Sequence, residues 1–277
     1  MEEKEISRSI DFHSLGHRKI LLAEDVEFNQ YIARQMLESW GFEVTVANNG
    51  LEVLKFMEDD NFDCILMDIQ MPEMGGIETA QRIRDLKIPG KESIPIIAVT
   101  ANALKGDCEK YLAAGMTDFL PKPFEEAQLF QIISRNLIKN DAKLSEPEQK
   151  EYKTHTLTLK GRENKLYDLS MVRSVSGGDD EFIKKMVILF IETVPQNVGE
   201  LNKALKNEDW DQVSKMAHKL KSTVDSMGIV SLKTDIRTVE ANAKQKESLQ
   251  QIPSLASKIE SVINDCIKQL HEEILQE

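Results

Sequence analysis

The pattern of apolar residues in the first half of the chain predicts alternating strands and helices. Short runs rich in Ile, Leu and Val alternate with amphipathic stretches of helical length, which is typical of repeated strand-helix units. The apolar runs are residues 19–23, 43–47, 64–67, 96–99 and 118–120, and helices are expected around 28–37, 51–57, 77–86, 104–114 and 127–137. This alternation predicts a doubly wound α/β fold, in which helices cover both faces of a parallel sheet.

The second half of the chain has a different period. From Asp168 onwards apolar residues recur every three to four positions, in four stripes over 183–205, 210–227, 232–243 and 255–274. Each stripe is typical of a helix with one buried face. Four such helices with short connections predict an all-α four-helix bundle.

The length of 277 residues fits these two domains, since single domains usually have roughly 100 to 200 residues. The segment between the two patterns mixes charges with Pro147 and Gly161 and predicts a linker, in which THTLTL (154–159) is extended chain or a short strand. The predicted boundaries are an N-terminal extension at 1–18, an α/β domain at 19–138, a linker at 139–166 and a helical domain at 167–277.

Charge and cysteine content exclude several classes of function. The net charge is −12, with 15 basic against 24 acidic residues in 1–140, and phosphate backbones would repel such a surface, so no nucleic-acid partner is expected. Three widely spaced cysteines favour neither a disulfide framework nor a zinc cluster. The N-terminus is charged where a signal peptide is apolar, and no apolar run could span a bilayer. We therefore expect a cytoplasmic chain without membrane contact.

Polar residues follow four of the five predicted strands. Glu24 and Asp25 come after the first strand, Asp68 after the third, Thr100 after the fourth, and Lys122 lies two residues beyond the fifth. The carboxyl ends of parallel strands share one sheet edge, and in the order 2-1-3-4-5 the first and third strands are neighbours. The three carboxylates are therefore expected to lie close together.

Three adjacent carboxylates repel one another and require a cation, and an all-oxygen site with few protein ligands suits Mg²⁺. Lys122 adds a fixed positive charge and Thr100 a hydroxyl, so the group could hold a phosphoryl during in-line transfer. Each residue alone has an ordinary structural explanation as a helix cap, a turn former or a surface charge. Their joint placement at one edge favours the functional interpretation.

The motifs LLAEDVEFN, LMDIQMPEMGG, AVTANA and DFLPKPF together resemble those of a response-regulator receiver domain, over residues 19–138. The resemblance implies a flavodoxin-like (βα)5 fold with Asp68 as the phosphoacceptor. It also implies a Mg²⁺ site formed by Glu24, Asp25, Asp68 and the backbone carbonyl of Gln70.

The same resemblance assigns roles around the phosphoryl group. Thr100 and Lys122 would contact its oxygens, and Phe119 would be the aromatic residue that rotates with Thr100 when the domain switches. The family usually has an acidic residue where this chain has Gly75, which concerns only local loop geometry.

One histidine in the helical half has a suggestive setting. His218 follows the predicted buried Ala217, and Lys215 and Lys221 lie three residues away on either side, so we expect an exposed imidazole flanked by two lysines. Such an imidazole is a nucleophile that is mostly neutral near pH 7. A surface histidine on a helix usually has no function, and the other four histidines have no comparable neighbours.

The segment AHKLKSTVDSMG resembles the phosphoacceptor helix of a histidine phosphotransfer (HPt) domain, and FIKKMVILFIETVPQNVGEL resembles the first long helix of that family. The resemblance implies phosphorylation of His218 with charge support from Lys221. Ser222 stands where the family most often has glycine, and serine is also small enough for another protein's active site to approach.

Together the two halves predict a phosphorelay module, either a free-standing protein or the C-terminal part of a hybrid sensor histidine kinase. Asp68 would accept a phosphoryl from an upstream histidine kinase and exchange it with His218, which would serve a downstream receiver. No ATP-dependent kinase domain is expected, because neither a GxGxxG loop nor a P-loop is present. Within a membrane-bound hybrid kinase, the chain would be cytoplasmic but tethered.

Two other functions remain open at this point. In one, phosphorylation of Asp68 reshapes the surface around Phe119 and the helical bundle only docks partners, so His218 is never phosphorylated. In the other, the α/β domain is a Mg²⁺-dependent phosphohydrolase, although the first strand lacks the DxD nucleophile motif of such enzymes.

Overall fold

The computed structural model describes residues 12–86, 90–101, 105–141, 165–176 and 178–274. The chain divides into two compact units, Met1–Lys143 and Leu144–Glu277. Nearly all of the predicted linker, including the THTLTL segment, lies outside the described residues, so its conformation stays a prediction.

The first unit contains a five-stranded parallel sheet. Its strands are β1 (Lys19–Ala23), β2 (Glu43–Ala47), β3 (Cys64–Asp68), β4 (Ile96–Thr100) and β5 (Asp118–Pro121). Their order is β2-β1-β3-β4-β5, which confirms the predicted doubly wound topology. The strands β3 and β4 are buried throughout, because a parallel sheet with both faces covered has no solvated side.

Five helices follow the five strands. They are α1 (Glu27–Ser39), α2 (Gly50–Asp59), α3 (Gly76–Asp85), α4 (Lys105–Ala113) and α5 (Glu126–Asp141). Helices α2, α3 and α4 pack their apolar residues on one face of the sheet, against Leu21, Ile65 and Ala98. The α/β class predicted from the alternating pattern is therefore confirmed.

Two strand ends differ from the predicted ones in a way that matters for the site. Asp68 and Thr100 are the last residues of β3 and β4 rather than the first residues after them. Both residues still pair through their backbones, Asp68 with Val99 and Thr100 with Pro121. The apolar pattern does not predict these two terminal pairs, because backbone hydrogen bonding between strands continues after the side chains become polar.

The part of the N-terminal extension that is described packs on the first unit. The Phe12 ring stacks on Trp40 at 5.4 Å between centroids and meets Phe130 edge-on at 5.0 Å. Helix α5 also continues to Asp141, three residues beyond the predicted boundary at 138.

The second unit is all-helical over its described residues, as predicted. A short helix, α6 (Ser170–Ser176), precedes four long helices, α7 (Asp180–Lys206), α8 (Trp210–Ser226), α9 (Lys233–Gln245) and α10 (Ile252–Ile274). Each long helix contacts two others, in the cycle α7, α8, α9, α10, so the four form a bundle. Among the described residues, no helix is long and apolar enough to cross a bilayer.

Candidate functional site

The three predicted carboxylates meet at the carboxyl ends of β1 and β3. These strands are neighbours, with Ala23 paired to Met67. Glu24 and Asp68, the next residues along each strand, therefore lie side by side. Glu24, Asp25 and Asp68 each place one carboxylate oxygen within 4.8 Å of the others. Glu24 and Asp68 are almost fully buried. We call this group the acidic pocket.

Lys122 supplies a positive charge to the acidic pocket. Its Nζ donates a hydrogen bond of 2.6 Å to Asp68 Oδ2 and another to Glu24 Oε2. Burial opposes the charged form of Lys122, but the two carboxylates outweigh burial and raise the pKa of its ammonium group. Lys122 is therefore a permanent cation in contact with Asp68.

One lysine does not neutralise the acidic pocket. Burial raises the pKa of Glu24 to about 7, Lys122 opposes this rise, and the charge of Asp68 adds to it. Two donors hold the other Glu24 oxygen, Oε1: the backbone N–H of Val26 at 3.2 Å and the side-chain amide of Asn29 at 3.0 Å. The surplus of negative charge follows instead from the count of three carboxylates against the one ammonium of Lys122, and a divalent cation would compensate it.

The donor set fits Mg²⁺, which prefers oxygen ligands and usually uses only one or two protein carboxylates together with water. Near the pocket, the Gln70 backbone N–H donates to Asp68 Oδ1 at 3.1 Å, so the main chain of Gln70 lies beside the phosphoacceptor candidate. Coordination through the Gln70 carbonyl stays a prediction.

Two glycines follow the strand that carries Asp68. At Gly76, a Cβ would lie 2.2 Å from the Asp68 carbonyl oxygen, so only glycine allows the first turn of α3 to approach the pocket this closely. Gly75 has an extended backbone with φ −78°, which any residue adopts. Helix α3 therefore has no side-chain cap at Gly75, and a Cβ there would lie 3.1 Å from the Ile69 carbonyl oxygen.

Thr100 bonds to a residue that the sequence analysis did not single out. Its Oγ1 lies 3.0 Å from the hydroxyl of Tyr111 on α4, and both side chains are buried. Phe119 on β5 is partly buried and packs against the core cluster that includes Tyr111. Thr100, Phe119 and Tyr111 therefore belong to one region of the unit, although the roles assigned to Thr100 and Phe119 stay predictions.

His218 is less exposed than the sequence predicted. Only 16% of its side chain is accessible, and Nδ1 lies 2.7 Å from Glu240 Oε1 on α9. The expectation of an exposed imidazole between two lysines was wrong, because α9 packs against α8 and brings the Glu240 carboxylate to Nδ1 of the ring. Lys215 is exposed, whereas Lys221 is buried.

Glu240 connects His218 to Lys221. Lys221 Nζ donates to Glu240 Oε2 at 2.5 Å, so each carboxylate oxygen has one partner. Burial would raise the pKa of Glu240, but the bonds to His218 and Lys221 outweigh it and lower that pKa to about 2. Glu240 is thus an anion at physiological pH, and Lys221 acts on the imidazole through it.

Glu240 is the site residue that the sequence analysis missed. It follows the buried Val239 on the apolar stripe of α9, just as His218 follows the buried Ala217 on α8. A carboxylate next to the apolar stripe of α9 and an imidazole next to that of α8 could therefore have indicated a contact between the two side chains. Ser222 is half-buried, and its hydroxyl donates to the Lys219 carbonyl at 3.1 Å, so it presents a small surface one turn from His218.

Family comparisons match a region of each unit. Residues 20–134 match the response regulator receiver domain, and residues 185–276 match the Hpt domain. The fold, the acidic pocket and these matches define a protein of phosphorelay signalling. The chain thus combines a receiver domain, over residues 20–134, with an Hpt domain, over residues 185–276.

Several relatives are sensor kinases. The chain is 30% identical over 211 residues to the aerobic respiration control sensor protein ArcB of Escherichia coli. The aligned region covers 76% of this chain and 26% of ArcB. The chain is 25% identical over 255 residues to the signal transduction histidine-protein kinase BarA of Escherichia coli, which covers 90% of this chain and 27% of BarA. The chain thus spans about a quarter of the length of these two relatives.

A solved structure covers the first unit only. This is the receiver domain of the sensor histidine kinase PA1611 from Pseudomonas aeruginosa, 40% identical, with 44% of this chain and 98% of that chain covered and a TM-score of 0.41. That domain has a magnesium ion coordinated in its active site cleft.

Proposed function

We propose that Asp68 and His218 are the two phosphoacceptors of this phosphorelay protein. The observation that carries the proposal for Asp68 is its carboxylate, which is buried among Glu24 and Asp25 and bonded to Lys122 at 2.6 Å. A buried carboxylate beside a fixed ammonium can attack phosphorus and have the resulting charge neutralised.

The first step moves a phosphoryl from an upstream phosphohistidine to Asp68. A carboxylate oxygen of Asp68 attacks phosphorus, the new P–O bond forms an acyl phosphate, and the donor's P–N bond breaks. The electron pair of that bond returns to the imidazole nitrogen of the donor. Lys122 would contact the phosphoryl oxygens, and its hydrogen bond to Asp68 Oδ2 supports this role.

The acidic pocket would hold Mg²⁺ through Glu24, Asp25 and Asp68. When bound, this ion supplies Lewis-acid charge that offsets the negative charge of the phosphoryl oxygens. Without a cation, the pocket carries three carboxylates against one lysine.

The second step uses the tautomer of His218 that Glu240 selects. Because Glu240 is ionised, its oxygen can only accept, so Nδ1 of a neutral His218 carries the proton and Nε2 keeps its lone pair. Nε2 attacks the phosphorus of an acyl phosphate, the P–O bond to the aspartate breaks, and the carboxylate is regenerated. The positive charge that forms on the imidazole is stabilised by Glu240.

Both linkages are high in energy, so transfer between an aspartate and a histidine is reversible and the partners set the direction. The donor is proposed to be a histidine kinase, either separate or in the same polypeptide, and the final acceptor another receiver domain. Within a membrane-bound hybrid kinase, this chain would work on the cytoplasmic side.

The test of the receiver site is labelling of the full chain by a hybrid histidine kinase core charged with labelled ATP. We expect alkali-labile label in the His218→Gln chain with Mg²⁺ present, and almost none after addition of EDTA. Asp68→Asn in that chain should abolish the label. Asp85→Asn, an exposed aspartate at the end of α3, is the matched control and should leave it intact. Label that survives Asp68→Asn, or is indifferent to EDTA, would contradict the proposed site.

A further inference from the structure

The hydrogen bond between Thr100 and Tyr111 links helix α4 to the candidate phosphorylation site of the receiver unit. Tyr111 lies on α4, and its hydroxyl reaches 3.0 Å from Thr100 Oγ1 at the end of β4. Thr100 is adjacent to the phosphoacceptor strand, because Asp68 pairs with Val99. The bond therefore connects α4 to the edge of the sheet where Asp68 lies.

We propose that Tyr111 is a positioning residue for phosphoryl transfer at Asp68 and that it acts through Thr100. The Tyr111 hydroxyl donates to Thr100 Oγ1, and Thr100 then directs its own proton towards a phosphoryl oxygen. This inference rests on the proposed role of Asp68 and extends it to a residue on α4.

The proton count supports this direction of donation. A threonine hydroxyl has one proton and two acceptor lone pairs, so it can donate to a phosphoryl oxygen while it accepts from a phenol. A phosphoryl oxygen is an anion and only accepts. Burial raises the pKa of the Tyr111 phenol, so near neutral pH it carries the proton that this arrangement needs.

The neighbouring aromatic residue cannot replace Tyr111 in this role. Phe119 packs against the same core cluster, but it has no hydroxyl and therefore cannot donate a proton to Thr100 Oγ1. Tyr111 is 4% exposed, so the ring is a core residue, and only its hydroxyl is assigned to positioning. Tyr111→Phe separates the two roles because it keeps the ring.

The test is a double-mutant cycle on Asp68 phosphorylation in the full chain, with acetyl phosphate as the donor and Mg²⁺ present. Tyr111→Phe removes one buried hydrogen bond and should slow the phosphorylation of Asp68 about three- to tenfold at saturating acetyl phosphate. The acetyl phosphate concentration that gives the half-maximal rate should not change. Thr100→Val should slow the reaction at least as much. The double variant should be no slower than Thr100→Val, because Tyr111 acts only through that hydroxyl.

A conservative substitution and a matched control complete the cycle. Thr100→Ser keeps the hydroxyl, so Tyr111→Phe should again slow phosphorylation in that background. Tyr167→Phe removes another tyrosine hydroxyl, one that donates to Glu273 at 2.9 Å in the helical unit, and it should not change the rate at Asp68.

A rate for Tyr111→Phe equal to that of the unmodified chain, or fully additive losses in the double variant, would overturn the inference. A second readout needs no phosphorylation: the ¹³Cζ resonance of Tyr111 should shift in Thr100→Val, and an unchanged resonance would refute the bond itself. Failure of the proposed function is distinguishable, because label would then persist in Asp68→Asn whatever residue is at position 111.

Discussion

The Nδ1 atom of His218 lies 2.7 Å from Oε1 of Glu240, so a carboxylate from a neighbouring helix holds the candidate phosphoacceptor histidine. Lys221 holds the other oxygen of the same carboxylate. The three side chains therefore form one network between α8 and α9. Because the ionised carboxylate can only accept, a neutral His218 keeps its proton on Nδ1 and its lone pair on Nε2.

Glu240→Gln should slow phosphoryl transfer to His218 by about tenfold or more, because the amide is neutral and no longer stabilises the charged imidazole. The measurement is the rate of label transfer from a phosphorylated receiver to His218 in the full chain. Glu200→Gln, an exposed glutamate on α7, is the matched control. Equal rates for both variants would contradict the role of Glu240.

The same network should make the helical unit less stable in acid. The pKa of Glu240 is about 2 in the folded chain against an ordinary value of 4.5, so its stabilising effect is fully present above about pH 5 and is lost as the pH falls towards 2. At pH 6, we expect Glu240→Gln to lower the free energy of unfolding of the helical unit by about 2 kcal/mol. The backbone amides of α8 and α9 should then exchange hydrogen with solvent about 30-fold faster than in the unmodified chain. This ratio should shrink in acid, and a ratio that does not depend on pH would be inconsistent with the lowered pKa.

Gly76→Ala should destabilise the receiver unit by about 1–3 kcal/mol, because its Cβ would meet the Asp68 carbonyl oxygen at 2.2 Å. Labelling of Asp68 should fall with it, since the strand end must move. Gly106→Ala is the same change on α4, where a Cβ meets no atom within 4 Å, and should stabilise the unit by about 0.5–1 kcal/mol. Denaturant unfolding measures both, and equal effects would show that the contact at Gly76 is unimportant.

Lys122→Met should cost the receiver unit about 3–5 kcal/mol in EDTA, because it leaves two buried carboxylates without their cation. Added Mg²⁺ should restore part of this loss by binding the same carboxylates. Lys110→Met removes a lysine that is 69% exposed and paired with Asp107 on α4, and it should change the stability by less than about 0.5 kcal/mol. Thermal unfolding with and without Mg²⁺ tests this, and a Lys122→Met chain as stable as Lys110→Met would contradict the account of the pocket.

The sheet and the acidic pocket were accessible from the sequence because both follow from periodicity. Five apolar runs with helices between them fix a parallel sheet, and residues at the strand ends must then share an edge. Asp68 and Thr100 were placed after their strands rather than within them, since the backbone pairing of a polar residue leaves no trace in an apolar pattern.

The environment of His218 was less accessible, because it depends on how two helices rotate against each other. The apolar periodicity places His218 beside the buried stripe of α8 and Glu240 beside that of α9. It does not predict that these two side chains contact each other when the helices pack. The bond between Tyr111 and Thr100 was hidden for a similar reason, since Tyr111 occupies a position that an apolar residue could also fill.

Transfer through His218 is the central claim, and delivery of label to a third protein tests it most directly. The full chain is phosphorylated by a histidine kinase core and then mixed with a separate receiver domain. The unmodified chain and the control His271→Gln, an exposed histidine on α10, should pass label to that receiver, and acid-labile phosphohistidine should be detectable on the chain. His218→Gln should keep label on Asp68 and deliver none. Undiminished delivery by His218→Gln would contradict the relay, and absence of phosphohistidine in the unmodified chain would favour a bundle that only docks partners.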